Sequence, residues 1–170
     1  MPFLPLKKTA LTAYAVAIVA IILDQITKYA VVEGLGMRLG QTIELSPVFD
    51  LTYTLNTGVS FGMFSGGEAR WILAGFSNLV AAGMIWWALR APRMLFAVAL
   101  GLIIGGALGN VIDRILVGAV IDFLDFSGLG FPWIFNIADS AISVGVGLLI
   151  LDSFLSERQS QAVGSAPQTE

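Results

Sequence analysis

The chain reads as a mainly α-helical membrane protein with four transmembrane helices, a small β-rich extracytoplasmic element and an interfacial helix. Three observations lead there. Of its 170 residues 56% are hydrophobic and only 12% charged, where a soluble domain carries about 25% charged residues. Four apolar runs reach spanning length, which is about 20 residues for roughly 30 Å of hydrocarbon. The few charges are placed oddly. Asp24, Asp113, Arg114, Asp122 and Asp139 all lie in or beside apolar runs, where an Asp or Arg costs roughly 2.5–3.5 kcal/mol at a helix centre.

The first span is Ala10–Ala30, just after Lys7-Lys8. A cleaved signal peptide is the alternative, but its apolar region is shorter, about 7–15 residues, and Asp24 and Lys28 suit no cleavage site. Residues 31–70 follow as a loop. Within it Thr42–Leu55 is rich in β-branched and aromatic residues with partial alternation, which predicts a small β element on the membrane. The second span, Trp71–Leu89, turns through Arg90-Ala-Pro-Arg93 into the third, Met94–Ile112. Gly101, Gly105 and Gly109 recur every four residues there, a spacing that lets another helix approach closely. Residues 116–136 mix Phe123, Phe126, Phe131, Trp133 and Phe135 with Asp122 and Asp125, and predict a partly helical interfacial segment. The fourth span is Ile137–Leu155.

This gives one four-helix transmembrane domain over residues 1–156, with loops 31–70 and 116–136, and a disordered cytoplasmic tail over 157–170. Lys7, Lys8, Arg90, Arg93 and Arg158 fall on one side, which the positive-inside rule makes cytoplasmic. Both termini are then inside and both loops outside.

Composition also limits the chemistry. There is no cysteine and no histidine, so thiolate nucleophiles, Ser-His pairs and imidazole zinc sites are excluded. No metal or cofactor is expected. A net charge of −3 gives no reason to expect a nucleic-acid partner. Carboxylates, amides, hydroxyls, Lys and Arg remain.

Placed by depth, the polar residues converge. Asp24 and Lys28, four apart, share a face in the outer half of the first helix. Asn110, Asp113 and Arg114 close the third helix at its outer end. Asp122 follows in the outer segment, Asn136, Asp139 and Ser140 open the fourth helix, and Asn56 lies in the outer loop. Each has an ordinary explanation: an in-helix ion pair for Asp24 and Lys28, headgroup anchoring for Arg114, a helix cap for Asn136, a favourable charge at a helix start for Asp139. Asp125 reads as a solvated residue and Asp152 as a helix-end or snorkelling one. The coincidence of the others at one level is what argues for a site.

Two aspartates that share a proton can activate water. Like charges and burial keep one carboxyl protonated while the other acts as base. Asp122 and Asp139 are the best pair, with Lys28 and Arg114 able to balance charge. A transporter or proton channel would need polar residues through the whole bilayer, and the inner halves of these spans have few. A purely structural subunit leaves the clustered carboxylates unexplained.

At these residues the chain resembles the bacterial lipoprotein signal peptidases, signal peptidase II. The segments are Leu-Asp-Gln-Ile-Thr-Lys (23–28), Asn-Thr-Gly-Val-Ser-Phe-Gly (56–62), Gly-Gly-Ala-Leu-Gly-Asn-Val-Ile-Asp-Arg (105–114), Val-Ile-Asp-Phe (120–123) and Phe-Asn-Ile-Ala-Asp-Ser (135–140). The resemblance implies an intramembrane aspartic endopeptidase of the bacterial inner membrane. Its expected partners are membrane lipids and prolipoproteins whose cysteine carries a diacylglyceryl group, cut just before that cysteine, and a monomer is the expected working unit. It implies Asp122 and Asp139 as the catalytic dyad and Asp24, Lys28, Asn56, Asn110, Asp113, Arg114 and Asn136 as pocket residues. Val59-Ser60 departs from the family's smaller or more apolar residues there. The glycine- and aromatic-rich segment 116–136 is expected to act as a lid.

Overall fold

The computed structural model describes residues 7–58 and 68–164, with side chains to residue 158. Val59-Ser60 and the end of the 56–62 segment lie outside the described residues. Among the described residues four helices are long and apolar enough to cross a membrane: α1 (Lys8–Tyr29), α2 (Ala69–Ala88), α3 (Met94–Leu116) and α4 (Ile137–Gly164). Each coincides with a predicted span. One π-helical turn, Ala30–Gly34, extends α1.

The helices do not share burial equally. Inside its most apolar stretch α3 is 67% buried by the rest of the protein, against 17–28% for the other three. So α3 is the axis, and the others pack around it with their outer faces toward lipid. Small residues make the contact possible. A Cβ on Gly101 would meet the carbonyl of Ala13, and one on Gly105 would meet Ala17 and Ala20, all on α1. Gly106 and Gly145 do the same for the α3–α4 seam, against Ala138 and Ala99. With no hydrophobic force between helices inside lipid, this close packing holds the bundle together.

At the end of the bundle where α2 turns into α3, Arg93 clamps α4. Its guanidinium donates to both oxygens of Asp152, at 3.0 and 2.5 Å, and to Ser156 Oγ at 2.6 Å. Asp152 is 3% exposed. It is therefore not a snorkelling residue but half of a bidentate pair, the strong geometry for Arg and carboxylate. Helix α4 runs on to Gly164, so the first part of the segment expected as a disordered tail continues the helix.

At the opposite end lies an antiparallel sheet, in order β1 (Thr42–Ser46), β2 (Phe49–Asn56), β3 (Val120–Asp125), β4 (Ile134–Phe135). The first two strands are the predicted β element. The third comes from the segment expected as an interfacial helix, whose helical part is a single 3-10 turn at Ser127–Leu129. Pairing wins over helix because Ile121 and Phe123 are buried with Val31 and Met37 in a second core beneath the sheet. Asp125, expected to be solvated, is 9% exposed. It accepts from Thr52 Oγ1 at 2.7 Å and Ser127 N at 2.9 Å, bonds that hold its carboxyl below the usual range.

Between the 3-10 turn and β4 stand aromatic contacts. Phe126 packs on Phe49 and Phe135, and Phe131 meets Trp133 and Phe135 edge-on. Gly128 fits against Pro47 and Val48, where a Cβ would collide with backbone. That glycine serves close approach, not loop freedom.

Candidate active site

The site forms where α1, α3 and α4 meet β2 and β3. Its base is a buried ion cluster. Lys28 Nζ lies 2.7 Å from Asp24 Oδ2 and 2.7 Å from Asp113 Oδ2. All three residues are at most 2% exposed. Charges so far from water persist only when paired and hydrogen-bonded, and these are. Asp24 Oδ1 accepts from Ala138 N at 2.9 Å, which ties α1 to the first turn of α4, where a negative charge is favourable. Asp113 Oδ2 accepts from Ile121 N at 3.0 Å, which ties α3 to β3. Gln25 Nε2 bridges Asp24 Oδ2 and Asp113 Oδ1 at 3.1 and 2.9 Å. The cluster thus fixes three helices and a strand relative to one another.

Two asparagines carry that rigidity upward. Asn110 Oδ1 accepts from Lys28 Nζ at 3.3 Å, and Asn110 Nδ2 donates to Asp139 Oδ1 at 2.8 Å. Asn136 is wholly buried. Its Nδ2 lies within bonding distance of Asp122 Oδ1 (2.7 Å), Asn110 Oδ1 (3.1 Å) and the Ile121 carbonyl (3.2 Å). Its Oδ1 accepts from Asp139 N at 2.9 Å, a cap on the first turn of α4. Asn136 is therefore a helix cap that also bonds Asp122. From the sheet, Asn56 Nδ2 donates to Asp122 Oδ2 at 3.0 Å. Asn56 reaches it because Thr54, two residues earlier on the same face of β2, pairs with Asp122.

Asp122 and Asp139 are thus joined through Asn136 and Asn110. Asp122 is 1% exposed, and Asp139 is half-buried. Burial pushes the Asp122 carboxyl up to about 6, and the Asp139 charge adds to the rise, against hydrogen bonds from Asn56 and Asn136 that favour the ionised form. Arg114 lies within electrostatic reach of Asp139, Asp113 and Asp122. Its Nη1 donates to the Asn110 carbonyl at 3.4 Å, while its buried Nε has no hydrogen-bond partner among the described residues.

All nine site residues expected from sequence are in this one network or beside it. Gln25 was missed. The available signal was a second polar residue next to Asp24 inside an apolar run. A cavity of about 260 Å³ opens beside Asn110 and Arg114, between α2, α3 and α4.

Comparison with known proteins agrees with this picture. The family model described as Signal peptidase (SPase) II matches residues 16–155. The lipoprotein signal peptidase of Caulobacter vibrioides is 51% identical over 159 residues, covering 92% of this chain and 95% of that protein. That of Beijerinckia indica is 43% identical over 157 residues, covering 91% and 92%. Two solved structures, each described as a bacterial membrane enzyme, superimpose with TM-scores of 0.72 and 0.74 at 34% and 29% identity, covering 83% and 94% of this chain and 91% and 94% of theirs. The four apolar helices, the antiparallel sheet and these matches together make the chain a multi-pass bacterial membrane protein that belongs to the signal peptidase II family.

Proposed function

We propose that Asp122 and Asp139 form an aspartic dyad that hydrolyses the peptide bond just before a diacylglyceryl-modified cysteine in prolipoproteins. The family is one of peptidases that remove signal peptides from prolipoproteins. The observation that carries the dyad reading is the amide bridge. Asn136 bonds one aspartate by side chain and the other by capping its N–H, while Asn110 bonds Asp139. Both carboxyls are aimed, and among the described residues neither is ion-paired with a contacting cation.

The two environments divide the work. Asp122, buried and raised to about 6, is the acid. Asp139, half-exposed at the start of α4, is the base. Asp139 takes a proton from water as the water oxygen bonds to the scissile carbonyl carbon. Asp122 gives its proton to the carbonyl oxygen. The C–N bond of the resulting gem-diol then breaks. The leaving amine takes the proton held on Asp139, and one hydroxyl proton returns to Asp122. Proton transfer of this kind contributes about 10²–10⁴-fold.

In this reading both termini are cytoplasmic, with Lys7, Lys8, Arg90, Arg93 and Arg158 on the inner side of the inner membrane. The sheet and the dyad lie at the outer face, where a lipid-anchored peptide can keep its acyl chains in the bilayer. Asn56, Asn110, Asn136, Arg114 and the Asp24–Lys28–Asp113 cluster support the dyad. The working unit is a monomer.

The test is cleavage. Purified protein should shorten a diacylated prolipoprotein by its signal peptide and leave the unlipidated form intact. No product from the diacylated form, or equal cleavage of both, contradicts the proposal.

A further inference from the structure

Each aspartate of the dyad is anchored one residue upstream. Ala138, whose N–H bonds Asp24 Oδ1 at 2.9 Å, directly precedes Asp139. Ile121, whose N–H bonds Asp113 Oδ2 at 3.0 Å, directly precedes Asp122. One buried carboxylate therefore sets the backbone before each carboxyl of the dyad. The gap between those carboxyls depends on whatever ties Asp24 to Asp113.

Two side chains make that tie, both from α1. Lys28 Nζ lies 2.7 Å from each carboxylate, but an ammonium is a compact charge on a flexible stem and fixes no direction. Gln25 Nε2 carries two protons in a planar amide. Its shortest contacts are Asp113 Oδ1 at 2.9 Å and Asp24 Oδ2 at 3.1 Å, with the Gly109 carbonyl third at 3.3 Å. Among the described residues Gln25 is the one donor to Asp113 Oδ1, since Lys28 and Ile121 N both take Oδ2. Without Gln25 the Asp113 carboxyl is free to turn about its Cβ–Cγ bond and carry the Ile121 contact with it. A cavity of about 260 Å³ beside Gln25, with Lys28 and Asp113 also in its wall, gives that turn room.

We infer that Gln25 is a positioning residue for the hydrolysis: by bridging Asp24 and Asp113 it sets the gap between the Asp122 and Asp139 carboxyls. This rests on the peptidase reading above and deepens it. Gln25 is uncharged, so removing it changes geometry and leaves the charges of the site in place. Those facing the dyad are Asp24 and Lys28 of α1 and Asp113 and Arg114 of α3, while β2 brings the neutral Asn56.

The test is single-turnover cleavage of a diacylated prolipoprotein across pH by wild-type protein and Gln25→Met, which fills the same space without a donor. The rate constant should fall about tenfold to a hundredfold, the scale of a misplacement of about 1 Å. KM and the final amount of product should stay as in wild type. A wider gap also weakens the repulsion between the two carboxyls, so their protons come off closer together and the bell of rate against pH should narrow. Gln25→Asn guards against a folding defect. It keeps a buried amide but is one methylene shorter, reaches one carboxylate at most, and should show the same slower rate and narrower bell.

Less product at an unchanged rate constant and pH profile means that Gln25 only holds the fold, and overturns the inference. So does a raised KM with the rate constant intact, which would place Gln25 against the substrate, and so does wild-type behaviour of both variants. If wild-type protein cleaves nothing, the peptidase reading fails instead. The gap is then judged alone, from the carboxyl stretches of Asp122 and Asp139 followed by infrared titration. Titrations that draw together in Gln25→Met support the positioning role, and an unchanged spread overturns it.

Discussion

Replacing Lys28 by Met removes the one cation of the buried cluster. Asp24 and Asp113 each lose a 2.7 Å ion pair, and neither is more than 2% exposed. Breaking a buried pair from one side costs about 3–5 kcal/mol, because the remaining charge is left uncompensated. Here two carboxylates are left. In a chain of this length each kcal/mol moves the melting temperature by about 2–4 °C. A fall of at least about 6 °C in detergent is therefore expected, with loss of cleavage, because Asp24 and Asp113 position α4 and β3 through Ala138 N and Ile121 N. The sign can be checked by rescue. Adding Asp24→Asn and Asp113→Asn removes the stranded charges and should restore much of the melting temperature. A shift below about 2 °C for Lys28→Met alone, outside the range just given, would refute the view that this cluster fixes the site.

Further outcomes are expected. Asn136→Ala deletes the amide that joins both aspartates; it should lower stability by about 2–4 kcal/mol in thermal melts and reduce cleavage further than that loss of fold explains. Asp122 binds its proton in the folded state at about 6, above its ordinary value of 3.8. Its stabilising contribution is therefore complete below the unfolded value and is lost as pH rises through 6. Between about pH 7.5 and pH 5 wild-type protein should gain about 1 kcal/mol relative to Asp122→Asn, read as the difference of their melting temperatures; the opposite slope contradicts the assignment. Cleavage should survive exhaustive chelation, since Asp24, Asp113, Asp122 and Asp139 are already held by ammonium or amide donors; activity lost to chelator and restored by a divalent ion would overturn that.

Much of this molecule was legible in its sequence. The spans follow from hydropathy and length, and the glycines at 101, 105 and 109 do mark helix contacts. The polar network was legible because charge inside an apolar run is costly and needs a reason. What could not be read was pairing at a distance. Asp152 looks like a lone helix-end residue until Arg93, 59 positions away, reaches it. Segment 120–125 carries too little periodicity to choose strand over helix, and it is β2, far back in the chain, that makes it a strand. Asp125 changes from solvated to buried for the same reason, through Thr52. Gln25 went unnoticed because an amide beside a carboxylate is uninformative until Asp113 closes the other side.

In the proposed mechanism Asp122 and Asp139 perform the hydrolysis together. Its most direct test is single-turnover cleavage of a diacylated prolipoprotein by wild-type protein, Asp122→Asn and Asp139→Asn, all with the same melting profile at one pH. Asn keeps the shape of each side chain but cannot exchange the proton. Each variant should lose several orders of magnitude, and the double variant should lose about as much as either alone, because residues that act as a unit are not additive. Substantial turnover by either single variant, or losses that multiply in the double, would contradict the dyad.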